Sequence, residues 1–335
     1  MALHALQDVD DALEATRSFL FPLRLGRWLK LALIAFFVGG GTSMPTVQIP
    51  GGTSSPSDPG TSPPTGDVPM SIPDDVLPLL VAGLAAVIVL WLVLGAVSAT
   101  MEFLLVESLR QRRVALREYW GARWRQGLRL FGFRILIGLP IVALFLGWVA
   151  LFVAPLMGLA DPMIAFPVFL IGLALLAVIG VLFTVVDTLT TVFVVPIMVI
   201  QDAGVLAAWR RLWTSIRVAW KQYLAYLLVA GLLGIAASLL ATIGVGVVAL
   251  AFLIPVAVLA FAVQATLTFA STVGGAILAV LVVVYLAAVF VVWLLAQAAI
   301  VTYLRYYALF VLGDVEPSLD LIPNQRAAVR NPPAA

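Results

Sequence analysis

From Gln222 to Leu304 the chain carries no charged residue. A soluble domain is about a quarter charged, so no soluble fold absorbs a stretch of that kind. The rest of the chain follows the same rule: of 335 residues, 63% are apolar and only 11% charged. The chain reads as an all-α, polytopic transmembrane helix bundle.

The placement of charge gives the topology. All 19 lysines and arginines fall within residues 17–30, 110–134, 210–221 and 305–330. Basic flanks stay on the cytoplasmic side, so an even number of crossings separates each of these segments from the next. Six spans satisfy this, at roughly 26–43, 77–105, 130–157, 164–200, 222–243 and 276–305, at about 20 residues or more per crossing. Both termini are then cytoplasmic and the protein sits in the plasma membrane. Residues 244–275, around Pro255, are read as non-spanning, because a seventh span would put Arg305, Arg326 and Arg330 outside.

Three basic stretches carry apolar residues at helical spacing. In Val205–Lys221 the residues Leu206, Trp209, Trp213, Ile216 and Trp220 form one face, with Arg210, Arg211, Arg217 and Lys221 mostly off it. In residues 110–134 the stripe is Leu116, Trp120, Trp124, Leu128 and Phe131, with Arg113, Arg117, Arg125 and Arg129 off it. Near the N-terminus, Asp8 can cap a helix in which Val9, Leu13, Thr16 and Leu20 share a face and which Pro22 ends. Such helices lie in a membrane interface. Each precedes a hairpin of two spans, over 9–108, 113–200 and 205–312, which reads as a three-fold parallel repeat. Topology preferences alone also generate basic-aromatic junctions of this type.

The domain organisation is then a cytoplasmic amphipathic segment (1–25), a six-span membrane domain (26–312) and a cytoplasmic tail (313–335). The basic stretch ahead of the first apolar core resembles a signal peptide, but the structured residues before that core are too many for a typical n-region. Residues 42–76, rich in Gly, Ser, Thr and Pro and without Lys or Arg, read as a disordered external loop.

Composition excludes most chemistry. Without cysteine there is no disulfide, thiolate metal site or cysteine nucleophile, and the single histidine, His4, leaves no histidine metal site or Ser-His-Asp relay. No catalytic residue, cofactor or metal is expected, and a net charge of +2 gives no reason to expect nucleic acid. Asp187 is the one carboxylate well inside a span, so it is a candidate polar site with Gln297 of the last span. The competing reading is a structural Asp with no cationic partner, hydrogen-bonded to nearby threonines or to Gln297. Glu102 and Glu107 are expected to pair with Arg110, Arg112 and Arg113 at the interface. Gly244 and Gly246 suit close helix packing. The best functional surface is the basic inner face, with Arg117, Arg125, Arg129, Arg210, Arg211, Arg217 and Lys221 as candidates for binding anionic lipid headgroups or a membrane or cytoplasmic protein partner. Each such cation contributes roughly 1 kcal/mol near an anionic leaflet.

The segment from Val195-Pro196 through Gly204 to Trp209-Arg210-Arg211-Leu-Trp213 resembles the junction in the glycerophosphodiester phosphodiesterase membrane-domain family. Residues Ala2–Leu13 and Gly26–Leu31 are similar to an uncharacterised haloarchaeal family of such proteins, and the excess of Arg over Lys suits that source. The resemblance implies a membrane domain without catalysis, since this chain has no room for a separate phosphodiesterase domain. Two readings of function follow: a non-enzymatic scaffold or accessory subunit, and a small transporter or lipid-handling permease with Asp187 in its pathway.

Overall fold

A computed structural model describes residues 4–22, 24–39, 77–158, 162–266 and 272–331. Among these residues the chain is helical, without strands: α1 (His4–Leu20), α2 (Leu25–Val38), α3 (Leu77–Gln111), α4 (Leu116–Leu156), α5 (Pro162–Leu189), a π turn (Thr190–Val194), α6 (Val195–Gln201), α7 (Val205–Thr266), α8 (Thr272–Val315) and α9 (Pro323–Arg330). Five of the helical stretches are long and apolar enough to cross a membrane.

The packing divides into a hub and two arms. The hub gathers the second half of each hairpin where it returns: Phe103, Leu105 and Leu109 of α3, Phe193 and Ile197 of the π turn and α6, and Tyr306, Tyr307 and Phe310 of α8 are all buried. It is completed by Phe19 of α1, Ile34 of α2, Leu130 of α4 and Leu212 of α7. Outside the hub the helices turn apolar side chains outward, among them Leu79, Leu136, Ile171, Ile254 and Val283. That surface needs lipid, where apolar side chains meet no penalty. One arm is α3 against α4 and α4 against α5; the other is the α7–α8 hairpin, and α2 lies between α3 and α8.

Several expectations shift. The first span is represented by α2, whose 14 residues reach only about 21 Å, short of a hydrocarbon core of about 30 Å. Residues 42–76 lie outside the described residues. Residues 244–266, read as non-spanning, continue α7 without a break, and α8 returns from Thr272, so the segment is the outer part of a helical hairpin. Two helices long and apolar enough to cross a membrane thus separate Lys221 from Arg305. Asp8 is no cap: α1 begins at His4, and Asp8 is buried within it. The packed face of α1 is Asp8, Ala12, Ala15, Thr16, Phe19 and Leu20: of the expected face Thr16 and Leu20 are buried, Val9 is half-buried and Leu13 is exposed. Gly244 and Gly246 face open space; glycines at close helix contacts include Gly95, Gly127 and Gly172.

The C-terminal tail is docked. Arg326 pairs with Asp314 and with Asp320 (3.4 Å), and Gln325 donates to the carbonyls of Leu109 (2.9 Å) and Arg110 (3.1 Å). Arg330 reaches Asp8 (2.8 Å), Asp11 (2.7 Å) and Asp314 (2.7 Å), joining α9 to α1 and to the end of α8.

Candidate functional site

The α3–α4 and α6–α7 junctions turn alike. Arg112 ends α3 and Asp202 ends α6 in the left-handed region, at φ 52° and 49°, a conformation uncommon outside glycine and asparagine that stops a helix sharply. The next helix begins within four residues, at Leu116 and Val205. In α7 the turn toward the long apolar part comes at Ala219, whose φ of −119° and ψ of 33° break the helix.

This geometry gives each basic helix two faces. In α7 the buried face is Val205, Ala208, Leu212 and Ser215, whereas Leu206, Trp213 and Trp220 are exposed and Trp209 is half-buried. The expected apolar face therefore splits: Trp209 and Ile216 pack against the hub, while Leu206, Trp213 and Trp220 are exposed, and the small residues Ala208 and Ser215, outside that expected face, are buried. Cations cover the outward rings, with Arg217 over Trp213 (5.6 Å) and Lys221 over Trp220 (5.8 Å). In α4 Tyr119, Gln126 and Leu130 are buried, Trp120 and Trp124 are exposed, and Arg125 lies over Trp124 (5.7 Å). Six of the seven candidate cations, Arg117, Arg125, Arg129, Arg210, Arg217 and Lys221, are exposed. Arg211 is different: it is half-buried and pairs with Glu316 and Ser318 after α8.

Asp187 has a cationic partner. Arg134 of α4 donates from Nε to Asp187 Oδ1 (2.9 Å), reaches Glu102 Oε1 (2.7 Å) and hydrogen-bonds Thr191. Arg305 of α8 lies 3.8 Å from Glu102 Oε2 and donates to the Thr191 carbonyl. That carbonyl is free for a chemical reason. In the π turn the N–H of Val195 bonds to Thr190 rather than to Thr191, and Pro196, next in line, has no N–H to offer. The Thr190 hydroxyl in turn accepts from Trp209 Nε1 (3.1 Å). Two carboxylates and two guanidiniums thus form one layer across α3, α4, α5 and α8 at the base of the arms. Removing either charge of a buried pair strands the other, so the layer fixes the relative register of these helices.

Gln297 lies elsewhere, with its Oε1 3.8 Å from the position a Cβ would take on Gly39, after α2. The structure gives Asp187 and Gln297 different neighbours. Glu107 keeps Arg110 at 3.8 Å but its nearer partner is Arg123 of α4 (3.2 Å), and Glu102 pairs with neither Arg110, Arg112 nor Arg113. The sequence did carry a signal for this layer: Arg134 falls inside the third expected span, where a lone cation is costly. The cavity beside it, lined by Phe133, Arg134, Ile137, Phe183, Val186, Asp187 and Thr190, holds about 10 Å³, room for one water at most.

A family match covers residues 3–322, nearly the whole chain. The chain belongs to DUF7544, a family of unknown function. The DUF7544 match carries no link to haloarchaea or to the glycerophosphodiester phosphodiesterase membrane domain. No curated protein and no solved structure matches the chain.

Proposed function

We propose that this DUF7544 protein is a non-enzymatic membrane scaffold or accessory subunit, acting through the basic, tryptophan-bearing rim of its hub. The observation that carries the reading is the economy of charge. Asp8, Asp11, Glu102, Glu107, Asp187, Asp314, Glu316 and Asp320 are engaged by arginines within the fold, while six rim cations face outward beside exposed rings. Anionic headgroups or an acidic partner segment offset that surplus, and the flanking tryptophans suit the headgroup level.

The topology that goes with it has six crossings, the first beginning with α2, and places the hub and both termini on the cytoplasmic side of the plasma membrane. A three-fold parallel repeat is supported by the paired left-handed junctions and by the burial of all three returning segments in one hub.

The test is purification in mild detergent with mass spectrometry of the lipids and proteins retained, for the wild type and for Arg210→Glu/Arg217→Glu. The expected outcome is loss of anionic lipid or of a stoichiometric partner from the variant, with the fold intact. A retained set unchanged by the reversal overturns the reading.

A second reading, a small transporter or lipid-handling permease, draws on the ion layer, where Glu102 Oε2 is buried without a hydrogen bond. Asp187→Asn separates the two. A permease loses flux with normal folding; a scaffold shows little change.

A further inference from the structure

Where the start of α2 meets the α3–α4 junction, a cleft of about 370 Å³ is lined by Arg24, Gly26, Arg27, Lys30, Arg112, Arg113 and Val114. Five of its seven lining residues are cations and none is a carboxylate. Its size falls in the range of small-molecule sites, roughly 300–1,000 Å³. We infer that this cleft is a binding site for a polyanion bearing two or more phosphates.

The cations come from two stretches far apart in sequence, and the fold brings them to one opening. Positive-inside topology asks only that such residues stay on one side; it does not ask them to converge. Their mutual repulsion is barely relieved from within the protein. Arg113 meets Glu118 at 3.5 Å, both well exposed at the margin. Arg112 donates to the Ser18 hydroxyl (3.1 Å) and Arg27 to the Pro22 carbonyl (3.0 Å), neutral acceptors that leave the charges in place. Arg27 Nε is buried without a hydrogen-bond partner, and its guanidinium lies over the Phe19 ring (5.8 Å). Arg24 and Lys30 are exposed and meet no carboxylate among the described residues.

The backbone adds to this field. The N–H groups of Arg27 and Trp28 both turn back to the Arg24 carbonyl, so the N–H groups before them in the first turn of α2 have no helical partner. A helix N-terminus favours anions, and Gly26 leaves it open: nothing lies within 4 Å of where its Cβ would be. Guanidiniums on two sides match phosphate oxygens in bidentate geometry, and Lys30 adds a point charge. In the topology proposed above, the cleft lies where the apolar part of α2 begins, at the depth of headgroups. A diphosphate lipid headgroup and a free polyphosphate present the same chemistry to it.

None of the five cations belongs to the rim of Arg117, Arg125, Arg129, Arg210, Arg217 and Lys221, so the site stands whether or not the rim binds lipid. The experiment uses the full chain in phosphatidylcholine nanodiscs with two probes, cardiolipin in the bilayer and inorganic pyrophosphate in solution. Retention of cardiolipin is read by native mass spectrometry and pyrophosphate binding by calorimetry. The variants are Arg24→Gln/Lys30→Gln, which touches only exposed side chains, and Gly26→Glu, which places a carboxylate in open space. Arg217→Gln/Lys221→Gln is the rim control, read by pyrophosphate binding alone, since the rim is itself proposed to hold anionic headgroups. Each cation counts for about fivefold, so the double variant weakens binding roughly thirtyfold, and the rim control leaves pyrophosphate binding unchanged. Cardiolipin retention lost in the pocket variants assigns a lipid; pyrophosphate binding lost in them assigns a free polyphosphate. Binding of neither probe by the wild type overturns the inference, as do equal affinities in wild type and pocket variants, or an equal loss of pyrophosphate binding in the rim control.

Discussion

The two arms are built from similar sequence and packed in different ways. In the α3–α5 arm the helices touch through glycine. A Cβ on Gly127 would sit 2.7 Å from the Thr100 Cα, one on Gly95 would sit 2.7 Å from the Phe131 ring, and one on Gly172 would sit 2.5 Å from the Trp148 ring. Trp148 then stacks on Phe169 (4.6 Å) and donates to its carbonyl (3.0 Å). In the α7–α8 hairpin, Gly231, Gly234, Gly244 and Gly246 have nothing within 4 Å, and the outer half is tied by Tyr285 to the Ala249 carbonyl (3.3 Å). The lengths differ too. Above the ion layer, Leu77–Glu102 runs about 37 Å and Pro162–Thr191 about 44 Å, while Thr272–Arg305 runs about 50 Å. All three exceed a hydrocarbon core of about 30 Å, Thr272–Arg305 by the most, so the hairpin has the most length to take up by tilt. The arms thus differ in which helix contacts close on a glycine and in how far they outrun the bilayer.

The largest test of that contrast lies at the layer from which the arms rise. Arg305→Met leaves Glu102 buried with one cation fewer and the Thr191 carbonyl without a donor. The expected loss is about 3–5 kcal/mol, measured as unfolding in detergent. Asp187→Asn is expected to cost less, because Asn keeps an acceptor for Arg134, which still meets Glu102 at 2.7 Å. Equal losses would mean that the layer does not hold the arms in register.

Next in size is a pair of identical substitutions. Gly127→Ala drives a methyl group into the Thr100 backbone and pushes α3 from α4, at a cost of about 1–3 kcal/mol. Gly244→Ala meets open space and gains up to about 1 kcal/mol of helix propensity. The two effects should have opposite sign in thermal unfolding. The same sign would erase the distinction between the arms.

What the sequence disclosed, and what it hid, follows the same division. The four basic segments and the hairpins between them were legible, because charge and lipid sort residues by composition alone. The stacking of Arg125 over Trp124, Arg217 over Trp213 and Lys221 over Trp220 was not, because helical spacing sets those cations off the tryptophan face. Nor was the face that enters the hub. In α1 and α7 it is drawn by Ala12, Ala15, Ala208 and Ser215, small residues that a count of large hydrophobes passes over, while Leu13, Trp213 and Trp220 point outward. The ion layer was hidden for another reason. Arg134 meets Asp187, and Arg305 meets Glu102, only once α3, α4, α5 and α8 have crossed. Helical periodicity reports neighbours within a few turns and is silent on such crossings. The cleft of Arg24, Arg27, Lys30, Arg112 and Arg113 was visible only as two basic stretches, each accounted for by topology.

The smallest expected effect concerns the hub, where the contrast with both arms is in response to pH. Asp8 is buried between α1 and α9, facing Asp314 and Arg330, with Arg326 nearby. Burial, then the charge of Asp314, pushes its carboxyl up from the usual 3.8 to about 7, against the pull of Arg330 and Arg326. A carboxyl raised in the folded state binds its proton more tightly there than in the unfolded chain. Its stabilising contribution is therefore complete below its ordinary value and is lost as pH rises through about 7. The docking of α9 on α1 should be firmest in mild acid and slacken toward alkaline pH, read as faster amide exchange in residues 323–330 after correction for the intrinsic rate. Amides of the ion layer and of both arms, which do not contact this clasp, should show no matching change. Asp8→Asn keeps the hydrogen-bonding shape without the titration and should flatten the profile of α9. If α9 in that variant still loosens with rising pH, the titrating group is not Asp8, and the hub end owes its pH response to another part of the network around Arg330.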